Sequence, residues 1–189
     1  MTVVNYFLLA FLSSLVVSCS LEPKGNVADS SLIEKKDTTD LLGVVKSYEP
    51  KIYKGKVPKA FYNNRGSYDW WRFPLVYPYS IGCIDVRDYG RIFSDKDRTD
   101  YDEGGSITPL TSVFDKFIFD KYYFVASKCK TPFERDAVKV VDQYFVFSFR
   151  NGSSKEIKGI DSLWKILKQI KFSGDTTFMT IREYEDRLW

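Results

Sequence analysis

The sequence predicts an α+β domain: an antiparallel sheet of hairpins and a meander, with one or two C-terminal helices packed on one face. Three observations carry this. Phe117-Ile118-Phe119, Tyr122-Tyr123-Phe124-Val125-Ala126 and Tyr144 to Phe149 are dense in aromatic and β-branched residues. Short turn segments, Asp120-Lys121 and Arg150-Asn151-Gly152-Ser153, punctuate them. From Ile160 onward the period changes, and Leu163, Ile166, Leu167 and Ile170 recur at helical spacing on one face.

Taken in order, the chain begins with an apolar run, Tyr6 to Val17, broken only by Ser13 and Ser14, with no charged side chain before Glu22. A bilayer span takes about 20 apolar residues, so this run is short for one. It fits the apolar core of a secretory signal peptide. The run ends in Val16-Val17-Ser18-Cys19, which resembles the lipobox of bacterial lipoproteins: an aliphatic residue, a small or aliphatic residue, a small residue, then cysteine. The resemblance implies that Met1 to Ser18 are removed and that Cys19 carries diacylglycerol and an acylated amino terminus. Three chains would hold a protein on a membrane stably, where one chain does not. Ser20 stands where an inner-membrane retention signal would have Asp, so the resemblance implies the outer membrane in a Gram-negative host. A plain signal peptide or a short uncleaved anchor is the alternative.

The expected organisation is a signal peptide over 1–18, a lipidated cysteine and tether over 19–40, and a single domain over 41–189. The tether is polar and charged, with Pro23, Gly25 and Glu34-Lys35-Lys36-Asp37, and lacks a sustained apolar period. Without its first 18 residues the chain has about 170, enough for one domain with a sizeable core. With 28 basic and 25 acidic residues its formal charge is +3, too small and too mixed to indicate nucleic acid. Once Cys19 is acylated, Cys83 and Cys129 remain. An even pair in an exported protein points to one disulfide, the alternative being two buried thiols.

Leu41 to Tyr53 opens the fold, although Gly43 and Pro50 weaken any single element there. Ala60 to Tyr79 is crowded with rings, among them Trp70, Trp71, Tyr77 and Tyr79, and Pro74 and Pro78 argue against a helix or a central strand. Such rings either form an exposed platform for sugars or a protein, or fill the core of a loop-rich domain. The core is the favoured reading, with Trp70, Trp71, Tyr77 and Tyr79 the candidates for a platform. Ser80 to Val86 alternates as a short strand, with Tyr89 to Phe93 as its hairpin partner across Arg87-Asp88. Ser94 to Ser106 carries Asp95, Asp97, Asp100, Asp102 and Glu103. Counted from Asp95, the sixth position is Asp100 and the twelfth Ser106, where an EF-hand needs Gly and Glu. A solvated acidic loop that steers a basic partner is expected, and no metal site.

Asn151-Gly152 suits a type I′ hairpin turn, with Lys155 to Lys158 as the returning strand and Pro132 in the preceding loop. Asp161 is the expected N-cap of the helix, which Ser173-Gly174 ends. Thr176 to Trp189 reads either as a strand to about Ile181 or as a second helix with Ile181, Tyr184 and Leu188 inward.

The chain contains no histidine, which removes Ser-His and Cys-His nucleophile pairs and the usual zinc catalytic sites. No Gly-rich phosphate loop is present. A carboxylate pair for glycoside hydrolysis is always available among so many acids and carries little weight. The reading that results is a membrane-anchored, non-enzymatic binding domain with no cofactor, at the cell envelope, its partner a protein. A carbohydrate or cell-wall module is the alternative, and a carboxylate-based hydrolase comes third.

Overall fold

The computed structural model describes residues 40–96, 108–129 and 139–189, the side chains of 139–141 excepted. All belong to one unit, Lys36–Trp189. The signal segment, Cys19, most of the tether, Asp97, Asp100, Asp102 and Pro132 lie outside the described residues.

Asp40 begins the described chain by capping α1 (Leu41–Ser47), its Oδ1 accepting from the Gly43 N–H at 2.8 Å. Leu41 and Val45, one turn apart, are the residues that α1 buries. The helix stops before Pro50, and a 3-10 turn, Lys51–Tyr53, follows. Helix α2 (Lys59–Asn63) buries Phe61 and Tyr62.

A four-stranded antiparallel sheet comes next, in the order β1 (Gly66–Ser67), β2 (Trp70–Pro74), β3 (Tyr79–Ile84), β4 (Arg91–Ser94). The β3–β4 hairpin is the one expected from the alternation, with Ile81 opposite Ile92. Strand β2 was not expected. Its prolines do not prevent it, because Pro74 is its last residue and Pro78 lies in the turn beyond.

The second sheet is the expected meander, β5 (Phe114–Phe119), β6 (Tyr123–Cys129), β7 (Lys139–Ser148) and β8 (Ser154–Lys158), with β9 (Met179–Thr180) added beside β5. Side chains alternate between its faces. Phe117, Phe119, Phe124, Phe145 and Phe147 turn one way, into a core shared with Phe73, Ile81 and Ile92 of the first sheet. Ile118, Val125, Val146 and Ile157 turn the other way and meet Leu163 and Leu167 of α3 (Ile160–Gln169). Each buried phenylalanine contributes roughly 1.5–3 kcal/mol of transfer free energy, so this aromatic layer holds the two sheets together. Helix α4 (Ile181–Leu188) sends Ile181, Tyr184 and Leu188 into the same layer, and the Tyr184 hydroxyl donates to the Pro74 carbonyl at 2.6 Å. The fold is α+β. Both readings of the C-terminal segment are met in turn, a two-residue strand followed by a helix.

Three local expectations change. Of Asn151-Gly152 only Gly152 takes positive φ, at 68°, so the turn is not type I′; Gly152 N donates to Ser148 O in a wider loop. The β5–β6 turn centres on Lys121-Tyr122, because Asp120 N pairs with Tyr123 O and Asp120 Oδ1 accepts from the amides of Tyr122 and Tyr123. The N-cap position of α3 is Gly159 at φ 90°, and Asp161 sits in the first turn. The capping oxygen comes from the sheet instead: Asp142 Oδ1 on β7 accepts from Ile160 N at 2.9 Å.

No disulfide joins Cys83 to Cys129. Cys83 lies on β3 of one sheet and Cys129 on β6 of the other, and both are buried. Burial, reinforced by the Glu185 carboxylate, pushes the Cys83 thiol far above its ordinary value, which disfavours the reactive thiolate.

Candidate functional site

Ser67 pairs with Trp70, which leaves Tyr68-Asp69 as the tip of the β1–β2 hairpin. Tyr68 is held there at φ 56°, an uncommon conformation for a bulky residue, and its side chain is 98 % exposed. Next along β2, Trp70 stands opposite Ile84 of β3. Trp70 is half-buried, Ile84 is 52 % exposed, and Val86 beyond it is also exposed. Asp85, at φ 63°, donates its N–H to the Asp69 carbonyl at 2.8 Å and so ties the two turns together.

Space for these rings is made by a glycine. A Cβ on Gly82 would stand 2.5 Å from the Phe93 ring and 3.5 Å from Trp70 Nε1, so both side chains lie across β3 where it has no side chain. A shallow groove of about 70 Å³ continues the surface, lined by Ile84, Tyr89, Arg91, Phe93 and Val113. The result is an apolar rim, Tyr68, Trp70, Ile84 and Val86, with the exposed carboxylates of Asp69 and Asp85 between. Chemically such a rim offers desolvation and aromatic contact, the means by which interfaces bind.

Of the described residues that the sequence singled out, Trp70 alone belongs to this rim. Trp71 alternates to the other face, packs against the core, and carries the Arg87 guanidinium 4.8 Å from its ring centre. Tyr77 is buried and meets Tyr53 and Phe61 edge to face at 4.9 and 5.0 Å. It is a core residue, which corrects the platform expectation. Tyr79 is half-buried against Phe147 at 5.0 Å and Phe149 at 5.8 Å, and burial raises its hydroxyl pKa.

Asp95 is also corrected, since it is 1 % exposed and cannot steer a partner from the surface. It forms an ion pair with Arg72, itself fully buried. Arg72 also donates to Phe61 O at 2.7 Å and lies 4.7 Å over the Phe61 ring, so the pair fastens α2 to the first sheet. Asp69 and Asp85 are the exposed carboxylates that the fold places beside the rim. Tyr68 and Ile84 were missed as site residues. Tyr68-Asp69 ahead of the strand-forming Trp70 to Phe73 was the available signal, but Asn63 to Ser67 before it has no strand-forming residues, and Pro74 and Pro78 argue against a strand after it.

Among the described residues no three His, Cys, Asp or Glu gather as metal ligands. Among them, too, no helix is long and apolar enough to cross a membrane. Comparisons with protein families, with characterised proteins and with solved structures gave no match to this chain.

Proposed function

We propose that this is a lipid-anchored protein of the bacterial cell envelope, acylated at Cys19, whose folded domain binds a protein partner without chemical turnover. The observation that carries the binding half is the apolar rim at Tyr68, Trp70, Ile84 and Val86. A ring exposed as fully as Tyr68, held on a tied hairpin tip, contributes nothing to the core. Large exposed aromatics at a preformed surface are the residues that carry interface energy. Asp69 and Asp85 favour a partner with basic residues opposite the rim, and that attraction weakens as salt rises.

The anchor half rests on Val16-Val17-Ser18-Cys19. Radiolabelled palmitate is expected to enter the wild-type protein and not Cys19→Ser; equal labelling of both overturns the anchor. For the domain, the protein is purified from detergent-solubilised membranes after crosslinking, alongside Tyr68→Ala and Trp70→Ala. A partner that is captured by wild type and lost from Tyr68→Ala supports the reading. Retention of a cell-wall glycan by the same rim, with no protein captured, makes it a carbohydrate platform instead.

A further inference from the structure

The stretch 46–59 contains Lys46, Lys51, Lys54, Lys56 and Lys59 against a single carboxylate, Glu49, in a chain whose 28 basic residues are nearly balanced by 25 acidic ones. All five lysines are exposed. Among the described residues none of them takes part in an ion pair. In their midst Ile52, on the 3-10 turn, is 71 % exposed. The contrast with the polar cleft at Arg65, Arg87, Arg182, Glu185 and Asp186 is plain. There Arg87 meets Glu185 at 3.2 Å and Arg182 meets Asp88 at 2.5 Å, so two of the three arginines are answered by carboxylates.

The same stretch walls an open cavity of about 380 Å³ together with α2, lined by Lys46, Glu49, Val57, Lys59, Tyr62 and Asn63. Of these lining residues Tyr62 is 8 % exposed, and among the described residues its Oη has no hydrogen-bond partner. Glu49 Oε1 is likewise buried without one. Unpaired buried polar atoms are costly, so each is poised for a partner that enters from outside. Burial, and then Glu49, push the Tyr62 hydroxyl up to about 12, so it remains a donor. Lysine ammonium groups and a phenol suit phosphate oxygens, while Glu49 suits a hydroxyl or ammonium on the same molecule.

We propose that the face formed by Lys46 to Lys59 lies on the membrane surface, with Ile52 entering the interfacial zone, the lysines on anionic lipid headgroups, and one headgroup seated in the Tyr62 cavity. The inference rests on the anchor proposed above, because Cys19 precedes this face in the chain and would hold it near lipid. An acyl anchor with a polybasic patch is a recurrent pairing of membrane signals. Each lysine at an anionic surface contributes roughly fivefold in affinity. Lysine side chains lay their methylene stems along an apolar surface and keep their charges in water, which suits an exposed isoleucine among them.

The full acylated protein carrying Ile52→Cys takes an environment-sensitive fluorophore at that position, since Cys19 is acylated and Cys83 and Cys129 are buried. It is placed on vesicles of phosphatidylcholine alone, or mixed with phosphatidylglycerol. On the anionic vesicles emission is expected to shift to shorter wavelength and to be quenched by brominated lipid tails. Both effects are expected to disappear in high salt and in the Lys51→Glu, Lys54→Glu, Lys56→Glu triple variant, and to weaken in Tyr62→Phe. Identical emission on the two vesicle types overturns the membrane face. A response that is unchanged in Tyr62→Phe removes the headgroup from the cavity. Retention on phosphatidylcholine vesicles reads the anchor separately. A chain that washes off them overturns the anchor alone, and the face is then read from the same label at position 52 in a Cys19→Ser background, where Cys83 and Cys129 are buried.

Discussion

Arg72 and Asp95 show how a buried charge becomes structural. Neither is exposed, and their ion pair, with the carbonyls of Phe61 and Asn64 nearby, replaces the water both have lost. Removing one partner leaves the other charge buried, which typically costs about 3–5 kcal/mol, while replacing both with apolar residues costs much less. Arg72→Met is therefore expected to destabilise the domain by about 3–5 kcal/mol in urea denaturation, and Arg72→Met with Asp95→Leu to recover most of it. Cys83 and Tyr184 give the pH dependence. Burial raises the Cys83 thiol above its ordinary 9.0 and the Tyr184 hydroxyl above its ordinary 10.0. A raised folded pKa means that the folded state keeps its proton where the unfolded chain has lost it. That stability is fully present below pH 9 and falls as the pH rises beyond, by about 1.4 kcal/mol per pH unit for each group. Melting temperature is expected to decline from about pH 9 upward, and Cys83→Ala to move the onset to about pH 10, where tyrosine begins to titrate. An unchanged onset contradicts this.

At the scale of elements, the two C-terminal helices are started by different means. Helix α4 has a capping box within its own sequence: Glu183 N donates to Thr180 Oγ1 at 3.2 Å and Thr180 N to Glu183 Oε2 at 2.6 Å. Helix α3 begins at Gly159, which has no side chain to offer, and borrows Asp142 from β7. Asp142→Ala is therefore expected to cost about 1 kcal/mol of stability, and Asp161→Ala only a few tenths through the helix dipole. Chemical denaturation of the two variants decides it, and the reverse order would return the cap to Asp161. The outer strand β8 shows a different economy, with Lys155, Glu156 and Lys158 exposed and only Ile157 buried. Charges on a free edge discourage pairing with another chain.

For the whole molecule, the proposed division of labour sets a basic face with Ile52 against lipid and leaves the Tyr68 rim for a partner. Two of the four tyrosines of the aromatic stretch, Tyr68 and Tyr77, test this in opposite ways. Tyr68→Ala is expected to leave the melting temperature unchanged and to weaken partner binding by at least about thirtyfold, the effect of an interface anchor. Tyr77→Ala is expected to lose about 3–5 kcal/mol of folding stability, because it empties the space between Tyr53 and Phe61. A Tyr68→Ala protein that binds as wild type does would move the partner surface elsewhere.

The meander, the β3–β4 hairpin and the faces of α3 and α4 were legible in the sequence, because the period of the side chains is a local property. The same alternation that built β5 to β7 also sorted phenylalanine to one face and aliphatic residues to the other. It did not say what would cover each face. That Tyr77 is core while Tyr68 is bare, that Asp95 is matched by Arg72 from 23 positions away, and that Asp142 caps a helix 18 positions on, are contacts across the chain. No local pattern encodes them. Residue types alone drew the eye to Trp71 and Tyr77, and hid Ile84 as one more strand residue. Burial was decided only when the second sheet closed over the first, because a side chain's exposure depends on what the rest of the chain brings against it.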